Sequence, residues 1–351
     1  MRSPILFAGL FSIVCAAAPA TGDDQGYAYG EHLAAIPDVM PSLGFAAVAG
    51  QLPGPEHPAG TIVLARPLVG KGVTLTEWDL ALKKVLREVR LGWTEDNVTI
   101  ARSGDTLYLA ADHPHVRFAR VSAATLRVAY QVDFGTGTDA RVATDGTLTV
   151  ASWRKGRIWT IATLDANQRT LARMSRAMPS EYGPTPVRLA VLNGHAYAIV
   201  GTNFESHVLK MSSSLVVEKD IPHFTQAGTC LEVVSGHLLL GTSDGFEVLS
   251  ADLDVLERSR NATESLPLFA ADASGRVMRA TGEFFVNSAQ PPAARYPVDH
   301  SVDIPMPPLW VGDVPVLVTT SEMVPLGIWV AWIDLNDPNR LPLMPAHYDG
   351  P

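Results

Sequence analysis

The chain has 351 residues, 47% of them apolar and only 18% charged, so it can bury a large core and disorder is confined to its ends. A formal net charge of −9 argues against a nucleic-acid partner, which would need a basic stripe to displace counterions from phosphates. With 28 glycines and 26 prolines the chain turns often, which disfavours long helices.

Residues 1–20 read as an export signal. Arg2 supplies the positive start, Ile5 to Val14 is nearly all apolar yet too short to span a bilayer, and Ala18-Pro19-Ala20 offers small residues for cleavage after Ala20. The mature chain is therefore expected to be soluble and extracytoplasmic, in the periplasm, at the cell surface or secreted. Cys15 leaves a lipoprotein open as the alternative, although Val14 stands where a lipidation signal normally has Gly, Ala or Ser. Once the signal is removed, Cys230 is the only cysteine left and no intrachain disulfide can form; its apolar surroundings suit a small buried hydrophobe.

Residues 21–42 carry Gly, Asp, Gln, Pro and Tyr without period and read as an N-terminal linker or an arm lying on the fold. From there to residue 345 the chain repeats, and 346–351 form a tail. A turn residue and a glycine precede a β-rich run at Gly60, Gly104, Gly146, Gly194, Gly236, Gly275 and Gly312, at intervals of 37 to 48 residues. Pairs such as Ser103-Gly104, Asp145-Gly146 and Asn193-Gly194 put a turn-forming residue before one that takes positive φ freely. Each turn is expected to join the first and second strands of a unit. Further along, an apolar strand reaches a short polar corner at Asp79, Ser122, Asp165, Ser212, Ser250 and Asp334, and a fourth strand follows.

The clearest self-match sets Val73–Gly92 on Val116–Gly135 at an offset of 43 residues, with Val73/Val116, Leu75/Phe118, Trp78/Val121, Val85/Val128 and Gly92/Gly135 in register. One local signal disagrees. Trp78, Leu82, Val85, Leu86 and Val89 fall at helical spacing among good helix formers. In the second copy Val128, Tyr130, Val132 and Phe134 alternate as a half-buried strand requires, and that decides for strand in both.

Seven four-stranded antiparallel units cannot each bury two faces alone, but arranged radially every sheet packs on its neighbours. The expected fold is all-β, a seven-bladed β-propeller over residues 43–345, with six or eight blades as alternatives. Closing the ring requires either Phe45–Leu52 or Ile328–Leu335 to complete a blade with the other terminus. The repeats resemble the broad YVTN-type and quinoprotein-like propeller group, and Trp78-Asp79 with the residues after it looks like one WD repeat. The other copies depart from the WD pattern by placing Ser, or Asp without Trp, at the corner. The resemblance implies a fold and no activity.

Chemical motifs are sparse. His113-Pro114-His115 is the only close histidine pair and is incomplete as a zinc site, so no metal is assigned. His195 and His237 recur at one position of adjacent units, which suits local hydrogen bonding in a turn. Asp23-Asp24, Glu95-Asp96 and Asp112 are possible carboxylates without a defined pairing. Gly135-Thr136-Gly137-Thr138-Asp139 lacks the lysine and helix of a phosphate loop and reads as a connection between blades. No nucleophile elbow occurs, and the tryptophan docking motifs of quinone-dependent propellers are missing, which leaves any cofactor unknown. Asn97-Val98-Thr99 and Asn261-Ala262-Thr263 fit the glycosylation pattern, with meaning only in a eukaryotic secretory pathway.

Two functional readings follow. One is a secreted or surface-tethered non-catalytic module that binds a protein or a small extracellular ligand on one face of the ring, with no nucleic acid and with a membrane only if it is anchored through Cys15. The other is a propeller hydrolase, lyase or oxidoreductase with its site at the mouth of the central channel. Loop position and chemistry select Arg102, His113, Arg154, Tyr182 and Asn203 as ligand-binding candidates, with no catalytic residue assigned.

Overall fold

The computed structural model describes residues 32–36, 46–50, 56, 60–68, 72–82, 84–177, 187–201, 206–223, 230–234, 236–242 and 245–259, and from 269 to 332 the strands with the turn residue Gly312. All regular elements among them are strands. After β1 (His32–Ile36) comes a first sheet of β2 (Ala46–Ala49), β3 (Thr61–Leu68), β4 (Gly72–Asp79) and β5 (Lys84–Arg90). A second holds β6 (Asn97–Ser103), β7 (Thr106–Asp112), β8 (His115–Ser122) and β9 (Val128–Thr136), and a third β10 (Thr138–Thr144), β11 (Thr149–Lys155), β12 (Ile158–Leu164) and β13 (Thr170–Ala177). The fourth contains β14 (Arg188–Leu192), β15 (His195–Gly201), β16 (Ser206–Met211) and β17 (Val217–His223). The fifth contains β18 (Cys230–Val234), β19 (His237–Thr242), β20 (Gly245–Leu249) and β21 (Val255–Ser259). A sixth is made of β22 (Phe269–Ala271), β23 (Val277–Arg279), β24 (Glu283–Phe285) and β25 (Ala294–Arg295). In the seventh, β26 (Asp303–Pro305), β27 (Leu309–Val311), β28 (Val314–Ser321) and β29 (Gly327–Trp332) are joined by β1.

Each sheet is an antiparallel meander, and the first strands of successive sheets pack on one another: β2 on β6, β6 on β10, β10 on β14, β14 on β18, β18 on β22, β22 on β27 and β27 back on β2. That closed cycle is a β-propeller, with each sheet a blade and the first strands innermost. The glycine turns at Gly104, Gly146, Gly194, Gly236 and Gly312 join first to second strands, as the repeat predicts.

Closure comes from β1, which runs antiparallel to β29 with His32 opposite Trp332 and Ile36 opposite Ile328. The C-terminal segment therefore does complete a blade with the other terminus. Its partner is not Phe45–Leu52, however, because Ala46–Ala49 is the inner strand β2 of the first blade. The partner lies inside the stretch read as a linker or arm. Five residues, His-Leu-Ala-Ala-Ile, carry no turn signal and no alternation, and what makes them a strand is an edge nearly the whole chain away. The inner strand of the seventh blade is split, since β26 and β27 both pair with β28, at Thr319–Ser321 and Val314–Val316. Between them the sequence runs Met306-Pro307-Pro308, and two prolines lack the N–H a ladder needs.

The stretch with helical spacing is β4, a turn and β5. Trp78 is buried at 2% exposure while Leu82 and Val85 stand 52% and 40% exposed, so the apolar residues that would form one helical stripe lie in different places. The second copy is β8 and β9, and the matched pairs Val73/Val116 and Leu75/Phe118 are fully buried in both. Gly92 and Gly135 share positive φ, 72° and 80°, at the end of the repeat.

The polar corners are built alike. One residue before each corner the ladder shifts register, at Glu77/Trp78, Arg120/Val121, Thr163/Leu164, Lys210/Met211 and Val248/Leu249, leaving one extra residue on the outer strand. Just past it, Leu126, Gln168, Leu215 and Leu253 adopt left-handed φ between 54° and 61° and are buried. The corner side chain secures the turn: Asp165 Oδ1 accepts from Asn167 N and Arg169 N at 2.8 Å, and Ser250 Oγ from Asp252 N and Asp254 N at 3.1 Å. A left-handed leucine costs about 1 kcal/mol or more, and it persists because its side chain fills the seam between blades. Corner Asp334 lies outside the described residues.

At the first-to-second hairpin of the third blade, Asp145 Oδ1 accepts from Thr147 N and Leu148 N at 2.9 Å and its Oδ2 from Gly194 N of the next blade at 3.0 Å. Burial would raise this carboxyl, but the hydrogen bonds from Leu148, Gly194 and Thr147 outweigh it and hold it below the usual range.

Removing the Leu253 side chain with Leu253→Ala should cost about 2–5 kcal/mol and Ser250→Ala about 1 kcal/mol, read from urea midpoints. Because the Asp145 pKa is lowered on folding, its contribution is complete above the unfolded carboxylate range and lost as pH falls through the folded value. The difference in unfolding temperature between wild type and Asp145→Asn should accordingly be largest near neutrality and shrink on acidification; a difference that grows in acid would contradict the assignment.

Candidate functional site

In an antiparallel meander, first-to-second hairpins and third-to-fourth corners lie at one end of every blade, while second-to-third loops and the connections between blades lie at the other. Arg102, on β6 beside its hairpin, sits at the hairpin end, where its Nε donates to Gly104 O at 2.7 Å. His113, in the β7–β8 loop, and Arg154, near the end of β11, sit at the connection end of adjacent blades. The structure thus brings His113 and Arg154 to one end and Arg102 to the other. Tyr182 and Asn203 lie outside the described residues, as do Asp23-Asp24, Cys15 and Asn261. Cys230 opens β18.

The connection end of blades two and three is dense in charge. His113 Nδ1 lies 2.8 Å from Asp96 Oδ2, and His115 Nδ1 lies 3.1 Å from Asp133 Oδ2. The two histidines of the loop thus engage separate carboxylates, both pairs exposed. Among the described residues no group of three or more His, Cys, Asp or Glu is placed to hold a metal ion. His195 Nδ1 meets Asn193 O of its own turn at 3.1 Å, the local role its repetition suggests.

Behind this rim are buried groups. Asp112 accepts from Asn97 Nδ2 at 2.9 Å and, with its other oxygen, from Ala140 N of the third blade at 2.6 Å. Thr99 Oγ1 donates to Ala140 O at 3.3 Å. Both polar side chains of the Asn97-Val98-Thr99 triplet are therefore used inside the fold. Glu95, fully buried, is paired with Arg117 Nε at 2.9 Å; the N–H is not aimed along that line, so charge more than a directed hydrogen bond holds the pair. Gly137, in the connection between these blades, is required by close approach: a Cβ there would stand 2.8 Å from Arg154 O and 2.7 Å from Val116 Cγ2. Below it, Phe134 and Trp153 stack at 4.6 Å between centroids.

Positive charge collects on blade three. Arg154 Nε donates to Asp139 Oδ2 at 2.6 Å and its Nη1 to Gly156 O at 3.0 Å. Arg141, on the innermost strand β10, uses Nη1 on Ala140 O at 2.8 Å. Burial lowers its pKa, with Asp112 and then Asp139 opposing. Arg173 lies over the Trp153 ring at 5.4 Å. The sequence singled out Arg154 alone; Arg141 escaped because its importance comes from enclosure, which only neighbouring strands create.

One further ionisable group stands on an inner strand. Glu232, opposite Leu239 in β18, keeps some accessible surface, yet protein encloses it closely enough that burial pushes its carboxyl up to about 8. Between about pH 4.5 and about 8 the unfolded chain gives up this proton and the folded chain keeps it, so stability falls as pH rises through that window and is flat on either side. Glu232→Gln should flatten this dependence and raise the unfolding temperature by several degrees at pH 8, with no gain near pH 4; equal gains at both would show that the carboxyl is not desolvated.

No family model matches the chain, and no curated protein matches it either. Among solved structures it is similar to the β-propeller domain of Cps50 (Swd1) from Myceliophteria thermophila, at 12% identity and a TM-score of 0.55 over 86% of this chain and 99% of that one. It is also similar to Hsv2 from Kluyveromyces lactis, at 8% identity and a TM-score of 0.53 over 84% of this chain and 98% of that one. Identities this low concern architecture alone, and by architecture this chain is a β-propeller.

Proposed function

We propose that the protein is a secreted or surface-tethered, non-catalytic binding module whose partner is a protein or a small extracellular ligand, held at the connection end of blades two and three. The observation that carries this reading is how the polar side chains are mounted. His113, His115, Asp96, Asp133 and Arg154 stand on a rim whose backbone is tied from blade to blade by Asp112 and Thr99 to Ala140. Contacts on such a rim cost little ordering when a partner arrives. The export pattern of residues 1–20 supports a site of action outside the cytoplasm. Cys15 provides the tethered form if it is lipidated.

N-terminal sequencing of the exported protein should begin at Thr21, or at a lipid-modified Cys15 in the tethered form; an unprocessed Met1 overturns secretion. Affinity capture from the extracytoplasmic fraction should lose its partner with Asp96→Lys/Asp133→Lys and retain it with Asp252→Lys at the hairpin end. Capture indifferent to both changes, together with turnover of a tested substrate, would overturn the module reading in favour of a propeller enzyme.

A further inference from the structure

Residues 138–177, which make up blade three, hold seven arginines and lysines against three aspartates, an excess of four positive charges in a chain that is nine negative. Five of those cations lie toward one end of the blade and follow its strands outward. Arg141 is on the innermost strand, Arg154 near the end of β11, Lys155 and Arg157 flank Gly156 in the β11–β12 turn, and Arg176 pairs with Trp159 on the outermost strand. At the usual strand spacing the stripe runs about 15 Å from channel to rim.

Little of this charge is neutralised. Asp139 is taken by Arg154, and Asp112 by Asn97 and the Ala140 amide. Lys155, Arg157 and Arg176 are exposed and make no ion pair with a described residue. Arg141 is the most telling. It is half-buried on the innermost strand, no carboxylate of a described residue comes within ion-pair reach, and its one hydrogen bond among the described residues is to a backbone carbonyl. A half-buried guanidinium with donors left over offers them to an incoming anion, and its planar fork fits a carboxylate. Ile158, in the same turn, stands 49% exposed and adds an apolar contact.

We propose that this stripe is the binding site for an extended acidic peptide segment of a partner protein, about five residues long, which seats one carboxylate on Arg141 and lays further acidic side chains along Lys155, Arg157 and Arg176. This rests on the binding-module reading and names the chemistry of the partner. A flat polyanion fits less well. The stripe is one blade wide, the exposed Asp96 and Asp133 of blade two flank it at the same end, and Arg141 is recessed where a projecting carboxylate reaches and a membrane or duplex surface does not.

The test measures binding of the mature protein to a fluorescein-labelled Asp/Glu-rich peptide of about ten residues by anisotropy, beside vesicles of phosphatidylserine and phosphatidylcholine. The peptide should bind and weaken steeply as salt is raised. Lys155→Glu/Arg157→Glu should weaken it about tenfold or more, and Arg141→Lys, which keeps charge but loses the fork, about fivefold, with circular dichroism and urea midpoints reporting that each variant is folded. No peptide binding, or binding unchanged by Lys155→Glu/Arg157→Glu, overturns the proposal; so does vesicle binding that responds to these substitutions as strongly as the peptide does. If partner capture survives Lys155→Glu/Arg157→Glu and is lost with Asp96→Lys/Asp133→Lys, the binding module stands and the acidic-peptide site falls.

Discussion

The second, third and fourth blades are apolar on both faces, and that constraint organises the molecule. In β7, Leu107 and Leu109 belong to the seam with the first blade, while Tyr108 and Ala110 belong to the seam with the third. In β15, Ala196, Ala198 and Val200 face the third blade and Tyr197 and Ile199 the fifth. A sheet of this kind needs a neighbour on each side, and a row of them can satisfy every member only by closing. The pairing of β1 with β29 supplies that closure with main-chain hydrogen bonds, so the stability of each seam depends on two strands from opposite ends of the chain.

Closure leaves only outer edges, and these are handled locally. The outer strands carry Lys84, Glu88 and Arg90, then Arg173 and Arg176, then Glu218, Lys219 and Asp220, and charge of either sign blunts pairing with another chain. The corner bulge bends the outer strand at its start while the left-handed residue beside it plugs the seam. Bulge and plug act together, one adding a residue that the ladder does not need and the other burying a side chain where the seam needs it. Strand ends secured this way are joined by short, hydrogen-bonded corners.

On that scaffold the charges are unevenly shared. Blade two presents imidazole and carboxylate pairs, blade three an excess of guanidinium and ammonium groups, and the two meet at Asp112, Ala140 and Gly137. Opposite potentials side by side favour a partner that can follow the boundary over one that covers the whole face. Arg141 lies just behind that boundary, at the edge of the channel.

Much of the architecture was legible in the residues. The glycine turns gave the units, the second copy of the opening repeat removed the helix that Glu77–Leu91 suggests alone, and the corner Ser and Asp residues marked where third strands end. These are local signals, because a turn needs its own φ angles and a strand its own alternation. The site was legible only in part. Exposed loop chemistry pointed to His113 and Arg154, but placing Arg102 at the other end required counting strands that exist only as a sheet. β1, Arg141 and Glu232 carry no local mark at all. A strand defined by the edge it completes, an arginine defined by the carboxylates that others have taken, and a glutamate defined by its enclosure are properties of neighbours distant in sequence, so the chain by itself determined the blades, and only their closure into a ring decided what the residues at the centre can do.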